Sequence, residues 1–277
     1  MGLRIATNVT SLNAQRNLTI NNLGLGKTLS RLSSGYRINQ AADDAAGLAI
    51  SENLKAKIRG LRQAQRNGND GISLVQVAEG SLNEISAMLI RLRELAIQAS
   101  SDTVGDTERK FIDVEYQQVK SEIQRISEAT EFNGRDLLNG TGGIMDIQVG
   151  VFNDPFKDRI SFNASASNST LEALGMIAES AASKEGAQVS ITAVDSAIVS
   201  VNAIRANFGA MQNRLTSTVN NIAISDENMS AANSRIRDAD IAAETSEMTR
   251  HQIMLQAGVS VLQRANGIQE VALKLLQ

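Results

Sequence analysis

The stretch VDSAIVSVNAIRANFGAMQNRLTSTVNNIAISDENMSAANSRI, residues 194–236, has an apolar side chain at every seventh position: Val194, Val201, Phe208, Leu215, Ile222, Met229 and Ile236. Ile191, Ile198 and Val219 lie on the flanking line. A seven-residue repeat keeps one face of an α-helix apolar over many turns, and two such faces bury each other as a coiled coil. No compact globular domain needs a helix with so many unbroken heptads. The pattern predicts a mainly α fold, an elongated antiparallel coiled-coil bundle.

Working outward, the segment from Asp43 to Ala99 repeats the signal at Leu54, Leu61, Val75, Leu82, Leu89 and Ala96, with Gly68 as the only gap. Ala78, Ile85, Leu92 and Ala99 form a second line three positions on. At 1.5 Å per residue, a helix of about 55 residues would run roughly 80 Å, which predicts a rod. The turn-forming SSDTVGD at 100–106 interrupts it, and Ile112, Tyr116, Val119, Ile123 and Ile126 predict a second helix folding back. After FNGRDLLNGTGG the period changes. Met145, Ile147 and Val149, then Phe156, Ile160 and Phe162, alternate around an NDP turn, which predicts a small β-hairpin near 144–162. Residues 163–187, rich in Ser, Ala, Asn and Gly, read as an exposed connection.

Both ends carry helical stripes. Ile5, Val9, Leu12, Leu18, Leu25, Leu29 and Leu32 supply the first; Ile241, Met248, Leu255, Leu262 and Leu276, with Val259 beside them and Gln269 interrupting, supply the second. A central hairpin flanked by returning helices pairs the N- and C-terminal helices. Two stripes at the tip of such a rod have too little surface of their own chain to bury, so they predict burial against other copies.

Composition narrows the chemistry. One Pro in 277 residues leaves long helices unbroken, and 3% aromatic content makes aliphatic and Ala contacts the packing currency. The absence of Cys excludes disulfides, thiolate metal sites and Cys nucleophiles. A net charge of −3 defines no partner. Residues 1–42 hold Arg4, Arg16, Lys27, Arg31 and Arg37 and no acid, but these cations are too dilute for a nucleic-acid arm and suit a solvated or self-assembling helix face. The N-terminus has no apolar run of signal-peptide type, and no continuous span of about 18 apolar residues occurs. His251 has neither Cys nor a second His as company, and reads as a packing or surface residue. Asp43 with Asp44, and Asp238 with Asp240, suit helix-start charge and ion pairs better than acid–base chemistry, because adjacent helical positions diverge. No HExxH, P-loop or dinucleotide fingerprint is present; GLGLGK lacks the preceding strand that would make it a phosphate loop. No catalytic residue, cofactor or metal is expected, and the chain reads as a structural protein and not an enzyme.

Longer blocks resemble one family. LSSGYRINQAADDAAGLAIS (32–51), RNGNDGISLVQVAEGSLNEI (66–85), RLRELAIQAS (91–100), TEFNGRDLL (130–138) and SRIRDADIAAETSEMTRHQIMLQAGVSVLQRAN (234–266) resemble, in this order, the bacterial flagellins. The resemblance spans nearly the whole chain. It implies an inner coiled-coil layer from residues 1–42 plus 238–277, an outer helical layer with a hairpin from 43–237, and no large variable outer domain. It also implies a secreted, extracellular homopolymer, the flagellar filament of swimming motility, exported by the flagellum-specific type III apparatus. The expected partners are a dedicated export chaperone on residues 238–277, filament cap and hook-junction proteins, and Toll-like receptor five. For the receptor, the matching positions are Arg91, Leu95 and Glu115, with Arg93 and Glu94 beside them. Ile90 departs from the Gln common in receptor-activating relatives, and filament packing is the competing role for Arg91 and Leu95. O-glycosylation, frequent in the family, points to the hydroxyls of SFNASASNST: Ser165, Ser167, Ser169 and Thr170. The hook-filament junction protein of the same superfamily is the nearer alternative, and a helical-rod enzyme or intracellular scaffold with a binding pocket the more distant one.

Overall fold

The computed structural model describes the backbone of residues 7–274 and the side chains of residues 7–267. Its helices are α1 (Val9–Ser34), α2 (Ala45–Ser100), α3 (Asp106–Ala129), α4 (Lys184–Arg237) and α5 (Ile241–Lys274). Two small antiparallel hairpins stand between α3 and α4: β1 (Glu131–Phe132) with β2 (Arg135–Asp136), and β3 (Ile144–Gln148) with β4 (Arg159–Asn163). The fold is mainly α, with its first and last helices paired. The chain divides into two compact units, one taking residues up to Ala56 and from Asn228 onward, the other Lys57–Glu227.

The second unit contains the main core. Val75, Leu82, Leu89 and Ala96 on one line of α2, and Ala78, Ile85, Leu92 and Ala99 on the other, are fully buried, as are Val194, Val201 and Leu215 of α4. Each buried Leu, Ile or Val contributes about 1.5–3 kcal/mol, so this double stripe dominates the unit's stability. α4 runs antiparallel to α2, with Arg62 bonding Asp226 at 3.0 Å and Arg93 bonding Asp195 at 2.6 Å. Gly68, the gap in the α2 heptads, lies against Val219: a Cβ there would stand 2.6 Å from that methyl group, so the missing side chain makes room for α4. An 18-residue window of α4 reaches a mean hydropathy of 1.3 without being a continuous apolar run. Its heptad residues Val194, Val201, Phe208, Leu215 and Ile222 are buried in the bundle, which accounts for part of that apolarity.

α3 folds back along α2. The guanidinium of Arg109 closes the corner: it donates to the carbonyls of Ala99 at 2.9 Å and Ser101 at 3.0 Å and pairs with Asp106 at 2.7 Å. These contacts satisfy carbonyls that the end of α2 leaves open.

The β3–β4 hairpin is held to α2 by Ile147 over Gly71 and by Asn67 donating to the Gln148 carbonyl at 3.0 Å, and to α4 by the Phe162–Phe208 ring pair, 5.5 Å apart. Two expectations change here. Phe156 is not a strand residue but stands in the turn, because the chain between Gln148 and Arg159 loops out around Pro155. The connection 163–187 is not a loose exposed linker: Ala164, Ser169, Leu174, Met176 and Ala181 are buried. Lys120 of α3 ties the segment down, donating to the carbonyls of Ile177 at 3.1 Å and Glu179 at 2.7 Å.

Candidate functional site

The unit built from the two chain ends holds most of the residues singled out above. Asn8 starts α1, its side chain accepting from the Ser11 N–H at 3.0 Å while its amide donates to the Ala265 carbonyl at 2.9 Å. Gly35, at φ 73°, ends the helix in the left-handed conformation that suits glycine. α5 lies antiparallel to α1, as Asn8 with Ala265, Leu18 over Gly258, Gly24 against His251, and the Arg31–Glu244 ion pair at 2.9 Å together require. Where the helices meet the rest of their unit, the Arg37 N–H donates to the Arg237 carbonyl at 2.7 Å and the Ala239 N–H to Gly35 at 2.9 Å. Arg237 stacks 4.6 Å above the Tyr36 ring and pairs with Glu52 at 2.6 Å, which holds the Glu52 carboxyl below its ordinary range.

Among the described residues, no large apolar group is fully buried in the α1–α5 seam. Ser11, Ala14, Thr28 and Ala265 are buried in it, and Leu18, Leu25, Leu32, Met248, Leu255 and Leu262 are half-buried. His251 is a packing residue: its ring covers Gly24, and its Nδ1 is buried without a hydrogen-bond partner.

The predicted single stripe separates into two faces. Val9, Leu12, Leu29, Ile241 and Val259 are exposed and do not join the intrachain seam. For Val9 the reason is angular: nine positions separate it from Leu18, about 2.5 turns at 3.6 residues per turn, so the two point to opposite sides, whereas Leu29, about three turns beyond Leu18, stands on the seam side but is 47% exposed. Ile5 and Leu276 lie outside the described residues. Five exposed residues escaped the heptad reading: Ile20 and Leu23 of α1, the latter 71% exposed, and Ile253, Met254 and Val261 of α5. Val9, Leu12, Ile20 and Leu23 recur at intervals of 3, 8 and 3, a helical spacing that could have revealed them. Along α5 an open groove of about 850 Å³ runs from Ile241 to Met254, its floor formed by Ala242, Thr245, Thr249 and Ile253.

The other predicted sites lie in the second unit. Arg91 donates to Glu115 at 2.7 and 2.9 Å and pairs with Glu94 at 3.0 Å; these carboxylates raise the guanidinium's pKa above its ordinary value. Leu95, grouped with Arg91 and Glu115 on the resemblance, is only 1% exposed and belongs to the core, so its side chain is not a surface contact. The four hydroxyls also divide. Ser167 and Ser169 are buried, their hydroxyls donating to the carbonyls of Asn163 at 3.4 Å and Leu138 at 3.4 Å, and are closed to a modifying enzyme acting on the folded chain. Ser165 is exposed, and Thr170 is half-buried with its hydroxyl donating to Asn168 at 2.8 Å. Among the described residues, no group of His, Asp or Glu side chains is placed to hold a metal ion.

The pattern of the bacterial flagellin N-terminal helical region matches residues 5–142, and that of the bacterial flagellin C-terminal helical region matches residues 191–276. A flagellin of Halalkalibacterium halodurans is 43% identical over 272 residues, covering 98% of this chain and 98% of its own. A flagellar filament 30.7 kDa core protein of Treponema maltophilum is 39% identical over 286 residues, covering 97% and 98%. The crystal structure of Bacillus cereus flagellin superposes with a TM-score of 0.51 at 34% identity, covering 61% of this chain and 94% of that one.

Proposed function

Because this chain belongs to the bacterial flagellin family, we propose that it is the structural subunit of a flagellar filament and polymerises through the outward apolar stripes of α1 and α5. The carrying observation is an inversion. The most deeply buried residues of the seam the chain makes with itself are small or polar and its leucines are only half-buried, whereas Val9, Leu12, Ile20, Leu23, Ile253 and Val261 face outward. Apolar residues repeated along an exposed helix face are a surface for another protein, and in a homopolymer that protein is the next copy. The paired substitution Ile20→Ser and Leu23→Ser leaves the intrachain seam intact. It should prevent filament growth from purified subunits, as removal of residues 1–42 should; normal filaments from the paired variant would overturn the reading.

In the filament, residues 1–42 with 238–277 form the inner layer and 43–237 the outer. The chain carries no catalysis in this reading and lies outside the cell once exported by the flagellum-specific type III apparatus. Before assembly the groove on α5, with Ile253 and Met254, needs a cover, which fits an export chaperone on residues 238–277. Cap and hook-junction proteins would meet the filament's ends. The hook-filament junction role is the second reading, and it is distinguished by abundance: the filament subunit dominates sheared flagellar preparations. For Toll-like receptor five, the accessible groups are Arg91 and Glu115, and for O-glycosylation Ser165 leads. An intact mass of native filament subunits equal to the sequence mass would remove the modification.

A further inference from the structure

The chain contains Asn-Gly pairs at 67–68, 133–134, 139–140 and 266–267. Such a pair carries a chemistry of its own. Glycine has no side chain to shield its backbone nitrogen, so that nitrogen can attack the side-chain carbonyl carbon of the preceding Asn wherever the backbone is free to bring the two together. The structure decides which pair has that freedom.

Asn67–Gly68 lies inside α2 and Asn266–Gly267 inside α5, where the glycine N–H is held in the helical ladder. Asn67 is also held by its side chain, which donates to the Gln148 carbonyl at 3.0 Å and accepts from Gln63 at 2.9 Å. Asn139 is fixed on both sides: its amide nitrogen donates to Asp136 at 2.7 Å, and its oxygen accepts from the Thr141 N–H at 2.9 Å and hydroxyl at 2.7 Å. Asn133 differs on each count. It is exposed, its side chain has no hydrogen-bond partner among the described residues, and with Gly134 it forms the tip between Phe132 and Arg135, which pair across the β1–β2 hairpin. Strands of two residues each hold that tip, so its backbone opens at small cost.

We infer that Asn133 is a site of spontaneous deamidation and isomerisation, with water as the only co-reactant. The Gly134 nitrogen gives up its proton and bonds to Cγ of Asn133; the Cγ–Nδ2 bond breaks, and Nδ2 takes up a proton and leaves as ammonia. Water then opens the five-membered imide. Addition at Cγ leaves an aspartate on an intact main chain, and addition at the main-chain carbonyl carbon leaves an isoaspartate, whose main chain runs through the former side chain. No atom is oxidised or reduced in either step. Aspartate tolerates the left-handed φ of 52° found here and keeps the turn. Isoaspartate lengthens a loop of only two residues, so Phe132 and Arg135 lose their register just ahead of the fully buried Leu137 and Leu138.

The reaction concerns the Lys57–Glu227 unit alone and does not depend on assembly. Purified full-length subunit, kept at mildly alkaline pH and sampled over days, is digested, and the Asn, Asp and isoaspartate forms of each peptide are separated and weighed by mass spectrometry. Conversion at Asn133 should exceed that at Asn67 or Asn139 about tenfold or more, because those sites react only through local opening. An isoaspartate methyltransferase should label the Asn133 peptide. In guanidinium, where the chain is unfolded, the three sites should convert at similar rates. As a second measurement, Asn133→Gln, which would have to close a six-membered ring, should remove the fast phase of ammonia release from the folded subunit. Folded subunit in which Asn67 or Asn139 converts as fast as Asn133, or in which Asn133 stays intact while the unfolded chain converts, would overturn the inference. A preference for Asn133 that persists unchanged in guanidinium would remove its structural cause and overturn it equally.

Discussion

Asp43 was legible in the sequence as a helix-start charge, and its role in the structure is more particular. Its carboxylate, only 6% exposed, meets Lys27 at 2.8 Å and accepts the N–H groups of Asn39 and Gln40, which together hold its pKa below the ordinary carboxylate value. A carboxyl whose pKa is lower folded than unfolded stabilises the fold above its unfolded pKa of about 3.9, and that contribution fades as the pH falls through the lower folded value. Asp43→Asn should therefore lower the melting temperature of the subunit at neutral pH and flatten its decline below about pH 4. Thermal unfolding of both proteins across that range measures this, and parallel declines would contradict it. Leu95 tests another residue-scale distinction. Truncating a buried Leu to Ala costs about 2–5 kcal/mol, whereas an exposed ion pair such as Arg91–Glu115 is worth about 0–1 kcal/mol. Leu95→Ala should lower stability sharply and Arg91→Ala hardly at all, as denaturant titration will read. Leu95 could have been recognised as core, since it lies three positions beyond Leu92 and so widens the buried stripe; the family motif, read as surface, hid this.

At the scale of elements, legibility followed periodicity. Repeats of seven residues recur often enough to reveal themselves, and α2 and α4 occupy the stretches their heptads marked. The 163–187 segment escaped because nothing in it repeats: its order comes from single contacts with other elements, such as Leu171 donating to Gln124 at 2.9 Å and Ala181 donating to Asp113 at 2.7 Å. The β1–β2 hairpin escaped for a different reason. Its strands are two residues each, too short to alternate, and the only signal was Asn133-Gly134, with φ of 52° and 74°, the pair a tight hairpin turn prefers. Lys120 links these scales. Burial pushes its ammonium below the ordinary lysine value, a cost accepted because two carbonyls of the 163–187 segment receive its protons. Lys120→Met keeps the stem and removes the charged donor, taking this partner from the Ile177 carbonyl and leaving the Glu179 carbonyl to Gln117 alone, at about 1–3 kcal/mol of lost stability. The effect should be local: residues near 171–182 should exchange amide hydrogens faster while the α2 core keeps its protection. Uniform loss of protection would show that the tether supports the whole unit.

For the molecule as a subunit, the α1–α5 pair was the part the sequence described least completely, because one chain of letters does not say which of two apolar faces finds a partner at home. Leu18, Leu25 and Leu32 do; Val9, Leu12, Ile20 and Leu23 do not. If the outward face is the joint between copies, assembly removes apolar surface from water, and this fixes its response to conditions. Hydrophobic burial near room temperature is driven by entropy and weakens on cooling, while sulfate strengthens it by exclusion from the surface. Joints made mainly of exposed ion pairs would instead be weakened by any added salt, through screening. The critical concentration of the wild-type subunit should therefore rise between 25 and about 5 °C and fall when sodium sulfate is added. In the Ile20→Ser, Leu23→Ser variant, both responses should shrink together with assembly itself. Sedimentation of filaments across temperature and sulfate concentration measures each arm, and a wild-type critical concentration that rises with sulfate would place the joint in charge pairs and not in the stripe.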